Sequence, residues 1–206
     1  MRDDNIVVSL TDFIDFAIRV GPPKQTKVAQ VKNRGAYSPA TDYWKGLRDE
    51  LRERHESGRI DRQSLQAFAR RNADPKKINR YTAAVDGYLK FLGRKDVRWF
   101  APPKGIWKPS RLGVNINPEL GLNIGGSEFI IKLYFKGEKL TKQRIDLVTY
   151  LLRNRLQAAR DEACFAVLDV ANGKLHTHQE NGVDLMPLLM GEAASFVAIW
   201  ESLGAG

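Results

Sequence analysis

The sequence predicts an α+β fold: a helical N-terminal half packed with a small, mainly antiparallel sheet that C-terminal helices cover. Three observations carry this. Up to about residue 93, apolar residues recur with helical spacing, and Pro, Gly and capping residues fall at the ends of those runs. From about residue 95 the texture changes to short alternating runs punctuated by Gly, Pro and aromatics. Runs of helices followed by runs of strands belong to α+β folds, not to a doubly wound parallel sheet. We divide the 206 residues into a strongly basic helical region, 1–94, and an α+β region, 95–206, expected to form one unit. That length buries a core without disulfides or metals.

Each element has its local reason. Residues 9–20, SLTDFIDFAIRV, place Leu10, Phe13, Ile14, Ala17 and Ile18 on one helical face, with Ser9 or Thr11 as cap and Asp12 and Asp15 in the first turns. Gly21-Pro22-Pro23 stops that helix. Residues 21–37 carry Lys24, Lys27, Lys32 and Arg34, no acid and few large apolar groups, so they read as a basic loop or arm. A helix capped by Ser38, with Pro39 at its first position, runs to Gly58. Two more follow, from Asp61 and from Asp74, the second with the stripe Ile78, Tyr81, Val85, Tyr88, Leu89 and Leu92. SEFIIKLYF alternates, with Phe129, Ile131, Leu133 and Phe135 on one face and Glu128, Ile130, Lys132 and Tyr134 on a face expected to be wet. Thr141 caps a helix whose inward residues are Ile145, Val148, Leu151, Leu152 and Leu156. CFAVLDVANGKLHTH reads as a hairpin turning at Asn172-Gly173. The last segment reads as one broken helix or two short ones, interrupted at Pro187 and Gly191.

Charge is the leading functional signal. The net charge is +9, and residues 21–111 hold 22 basic against 9 acidic groups, while both flanks are slightly acidic. Such asymmetry points to a polyanionic partner, nucleic acid first. The expected contacts are Lys24, Lys27, Lys32 and Arg34 from the arm and Arg70, Arg71, Lys76, Lys77 and Arg80 around the turn RRNADPKK. A helix-turn-helix arrangement of 61–92 would present the start of its second helix to base edges. Trp99, Phe100 and Trp107 read as apolar plugs where the helical part docks on the sheet, in preference to base-stacking rings. The leading expectation is therefore a cytoplasmic nucleic-acid-associated binding protein, without catalysis or cofactor. A module that binds an acidic protein, such as an inhibitor or accessory subunit, is the first alternative.

A metal-dependent nuclease is the second alternative. Its candidates are Glu119, Glu128 and Lys132, because carboxylates and a lysine on neighbouring strands hold a divalent ion and steady phosphate charge. Glu128 and Lys132 lie about 13 Å apart at about 3.3 Å per residue, so another strand must supply the partner. Asp169, His176 and His178 on the Asn-Gly hairpin are the candidate metal ligands, since histidines two apart share a strand face. The single cysteine, Cys164, opens an apolar strand and reads as a small core residue in a reducing compartment. No apolar run approaches about 18 residues, and Asp3 and Asp4 precede a short apolar stretch unlike a secretory signal.

Overall fold

The structure is a computed structural model and describes residues 6–34, 42–71, 75–177 and 183–204. Among the described residues the chain has seven α-helices and eight strands, with helices near both ends. In chain order they are β1 (Ile6–Ser9), α1 (Leu10–Ala17), α2 (Pro22–Lys32), α3 (Lys45–Glu56), α4 (Arg62–Arg70), α5 (Pro75–Leu92), β2 (Val97–Phe100), β3 (Gly105–Trp107), β4 (Leu112–Ile116), β5 (Leu120–Ile124), β6 (Ser127–Tyr134), α6 (Lys142–Leu156), β7 (Cys164–Asp169), β8 (Lys174–Thr177) and α7 (Met186–Ser202). The α+β class holds. The strands make two mixed sheets, ordered β1-β4-β3 and β2-β5-β6-β7-β8. Pairing is mainly antiparallel, with β1–β4 and β6–β7 parallel.

The five-stranded sheet is the middle layer. One face presents Leu120, Leu122, Ile131, Leu133, Ala166 and Leu168 to the apolar stripes of α3, α4 and α5. The other presents Ile130, Tyr134, Phe165 and Val167 to a second core built from β1, β4, α1, α6 and α7. Both cores draw on residues from either side of position 95. Burying both faces of β6 requires helices on both sides, and α6 supplies one of them by crossing from β6 to the parallel β7. Trp107 packs on Phe13 at 5.4 Å and Trp99 stacks on His55 at 6.3 Å, so both rings are packing groups at the junction of helices and sheets.

Several expectations are corrected. Residues 21–37 are no loop over their first part: Pro22–Lys32 is α2, started by Pro at its first turn and held by buried Val28. The N-terminal part is not all helical, because Ile6–Ser9 adds a parallel strand to β4. The Glu128–Tyr134 face of β6 is not wet, since Ile130 and Tyr134 are buried in the second core. The last segment is one unbroken helix, with Pro187 in its first turn and Gly191 inside it. Cys164 is exposed, one residue before the strand goes under α6. Ser38, Pro39 and Asp74 lie outside the described residues. The predicted caps Ser9, Asp61 and Thr141 each accept from a backbone N–H three residues on.

Gly87 lets α5 close onto the β7–β8 turn. A Cβ there would fall 2.1 Å from the Val170 carbonyl oxygen and 2.5 Å from that of Ala171, both backbone atoms that cannot swing away. Gly191 on α7 faces open space. Gly87→Ala is expected to cost about 2–3 kcal/mol by forcing α5 off the sheet. Gly191→Ala should gain about 0.5–1 kcal/mol from helix propensity alone. Urea midpoints of the two variants check both signs.

Candidate nucleic-acid interface

The basic side chains divide into two populations. Those near the N-terminus are held inside the chain. Lys24 pairs with Glu192 of α7 and lies over the Phe16 ring at 4.9 Å. Lys32 donates to the Trp200 and Gly204 carbonyl oxygens at the C-terminal end of α7, where a cation also meets the negative end of the helix dipole. Lys27 is buried and bridges Asp12 (2.8 Å) and Asp15 (3.5 Å). Arg34 reaches Asp12 with two parallel N–H donors at 3.0 and 2.8 Å. Each of these four predicted contacts therefore has a structural partner.

The second population lies on α4 and α5. From Arg62 to Leu92 the sequence has seven basic residues against Asp74 and Asp86. Arg70 and Arg71 are exposed where α4 ends, and neither forms an ion pair among the described residues. Arg80 is exposed and Lys77 half-buried on the first turns of α5, and Lys76 is on the same turn. Lys77 and Arg80 lie over the Tyr43 ring at 5.3 and 5.6 Å. Behind Tyr43 runs a column of near-parallel rings, Phe135, Trp44, Tyr81 and Phe68, with successive centroids 4.8, 5.4 and 6.2 Å apart. This column fixes the start of α3 to α4, α5 and the end of β6. The α4–α5 pair thus presents its cations from a rigid base.

The nuclease candidates are separated. The hairpin register sets Asn123 opposite Glu128, so Glu119 and Glu128 do not meet. Glu119 instead contacts Lys132 at 2.5 Å and accepts the Leu133 N–H at 2.8 Å, and Lys132 also donates to the Asn117 carbonyl oxygen. Glu128 is held by Arg160 at 3.0 Å, and that guanidinium lies over Phe100 at 4.7 Å. The partner strand does deliver a carboxylate to Lys132, but the pair is closed on itself. In the metal candidate, Asp169 accepts from the Asn172 backbone and side chain, which shapes the turn. His176 stands opposite Val167, two residues before Asp169. His178 lies outside the described residues. Among the described residues no group of three His, Cys, Asp or Glu could hold a metal ion.

Charge pairing also uncovers residues the sequence did not single out. Asp15 is approached by Lys27, by Lys136 and by Arg144 at 2.6 Å. Burial alone would raise the Asp15 carboxyl, but hydrogen bonds from Lys136 and Arg144 outweigh it and hold it below its ordinary range. The same balance holds Asp12 well below its ordinary range: burial opposes ionisation, and Arg34, Lys27 and Ser9 overcome it. Lys136 is 121 positions from Asp15, and no local pattern connects them.

His55 is a titratable group of α3, on the opposite side of the five-stranded sheet. It is buried, hydrogen-bonded through Nε2 to the Tyr88 hydroxyl, and stacked on Trp99. Burial drives its pKa down to about 4. Compared with protein-family models and with curated proteins, the chain shows no match, and the reading of the site rests on its own geometry.

The His55 shift sets a pH dependence. The imidazole is neutral in the folded chain and protonates at its ordinary 6.5 when unfolded, so the unfolded state binds more protons between those values. Stability should fall as pH drops from about 6.5 to about 4, by an amount on the order of 3 kcal/mol. His55→Gln should flatten that part of the profile. The buried Asp12 and Asp15, whose pKa values are depressed, add their own loss only below the ordinary carboxylate range. Urea unfolding at a series of pH values reads both.

Proposed function

We propose that this chain is a nucleic-acid-associated binding protein that meets the phosphate backbone through the α4–α5 face. The observation that supports it is the contrast between its two basic populations. Lys24, Lys27, Lys32 and Arg34 are engaged inside the chain. Arg70, Arg71, Lys77 and Arg80 stand together on two packed helices without a carboxylate partner among the described residues. Unpaired cations on one face repel each other and lower stability. A polyanion relieves that repulsion and gains affinity by releasing its condensed counterions. The rigid ring column behind Tyr43 keeps the cations in place, which reduces the ordering cost of binding. Lys24, Lys27, Lys32 and Arg34 are accordingly left out of the proposed interface.

The test is fluorescence anisotropy with labelled duplex DNA, single-stranded DNA and RNA between about 50 and 300 mM salt. Each phosphate neutralised on duplex DNA contributes about −0.9 to the log–log slope. Replacing Arg70 and Arg71 together, or Lys77 and Arg80 together, by Ala should weaken binding at every sequence and make the slope shallower by about 1–2. Lys24→Ala should leave binding unchanged. Absence of binding to all three probes even at about 50 mM salt overturns the proposal and shifts the search to acidic protein partners.

A further inference from the structure

The cluster around Asp12 and Asp15 carries more positive charge than its own carboxylates neutralise. Four cations, Lys27, Arg34, Lys136 and Arg144, converge on two acids. Lys27 and Arg144 are each more than nine-tenths buried. The buried cations Lys27 and Arg144 are paired with the buried Asp12 and Asp15, as a buried charge requires, and Arg34 and Lys136 bring two further positive charges to the same acids from the solvent side.

The unused donors point the same way. Arg144 spends Nη1 on Asp15 and lays its guanidinium over Tyr134 at 5.5 Å, while its Nε and Nη2 have no hydrogen-bond partner among the described residues. The Arg144 side chain keeps 7% of its surface exposed. The open side is marked by Lys136 and Arg34, whose side chains are 34% and 50% exposed. Lys27, Lys136 and Arg144 all contact one carboxylate, so their spare N–H groups share one neighbourhood.

Elements from both sheets lead into this neighbourhood. Strand β1, parallel to β4, ends at Ser9 and leads into α1 with Asp12 and Asp15. Strand β6, parallel to β7, ends at Tyr134 and leads through Lys136 to α6, whose first turns carry Arg144. The carboxyl ends of two strands, one from each sheet, and the starts of two helices therefore meet here, and a helix start favours anions. Nearby acids are few: Asp169 is committed to its turn with Asn172, and Glu138 is exposed.

We infer that the Lys27–Lys136–Arg144 cluster beside Asp15 is a binding site for a phosphate monoester group. Arginine and lysine donors around a dianion match the surplus of two charges, and the Arg144 fork suits phosphate oxygens. Such a group is presented by a free nucleotide or inorganic phosphate, and equally by the phosphorylated end of a nucleic-acid strand. The site is separate from the α4–α5 face and stands or falls without it.

Calorimetric titration of the full chain at low salt tests this with three probes: inorganic phosphate, a single-stranded oligonucleotide with a 5′-phosphate, and the same oligonucleotide with a 5′-hydroxyl. Saturable binding of inorganic phosphate supports the site. A preference for the 5′-phosphate over the 5′-hydroxyl oligonucleotide supports it too and assigns the ligand to strand ends. Lys136→Gln should weaken phosphate about tenfold or more, because a charge-assisted donor is lost. Arg144→Lys, which keeps the charge but removes the fork, should weaken it also, with circular dichroism confirming that both variants fold. No saturable phosphate binding together with equal affinity for the two oligonucleotides overturns the inference. So does unchanged phosphate affinity in either folded variant. Loss of oligonucleotide binding in the Arg70/Arg71 variant, with phosphate binding retained, would separate this site from the helical face.

Discussion

Asp15 is the point at which the N-terminal helices are joined to α6 and to the segment before it. It lies on α1, and its three cationic partners come from α2, from the segment after β6, and from α6. Through Lys27 the network continues to Asp12 and Arg34. Each carboxylate is costly to bury, and removing one member of such a network leaves the others buried and unpaired. The network therefore sets the position of α1 and α2 against α6 more strictly than apolar packing alone would. The parallel β1–β4 pairing requires it: β1 is four residues long and sits at a sheet edge, so its register depends on what holds α1 in place.

The elements legible in the sequence were those whose determinants are local. Asp61 caps α4 because its carboxylate reaches the Ser64 N–H at 2.8 Å, and that residue type at that spacing is visible in the chain. Gly125 and Gly126 turn the β5–β6 hairpin with positive φ, and two adjacent glycines are a turn signal visible in the chain. α2 was illegible for the opposite reason. Its residues include only one fully buried apolar side chain, Val28. The rest of its support is in side-chain pairing, of Lys27 with Asp12 and Asp15 of α1 and of Lys24 and Lys32 with Glu192 and the C-terminal end of α7, the latter more than 160 positions away. The second face of β6 misled for a related reason. Lys132 and Glu128 on that face suggested water, yet each is neutralised by a partner from elsewhere in the chain and the face goes under α6.

The candidate sites follow the same rule. The α4–α5 basic cluster is local, and its members were visible as a run around RRNADPKK. Tyr43, which sits beneath Lys77 and Arg80, comes from the segment before α3, and no local pattern ties it to them. The anionic-ligand cluster was not readable at all. Asp12 and Asp15 look like ordinary residues of a helix's first turns, and Lys136 and Arg144 are scattered charges in a nearly neutral C-terminal half. Only the meeting of two strand ends, one from each sheet, brings them together.

This separation changes what the net charge of +9 means. Charge summed along the chain counts Lys27 and Arg70 alike, but the two respond to salt in different ways. Lys27 is buried between carboxylates, where mobile ions cannot come between the partners, so its pairing persists as salt rises. Arg70 is exposed, and its attraction to a polyanion decays over about a Debye length, about 10 Å at 0.1 M. The fold and the proposed interface therefore draw on the same residue types in different dielectric settings. Salt that weakens the outer face leaves the inner network intact, and a phosphate group held by Lys27 and Arg144 would share that resistance.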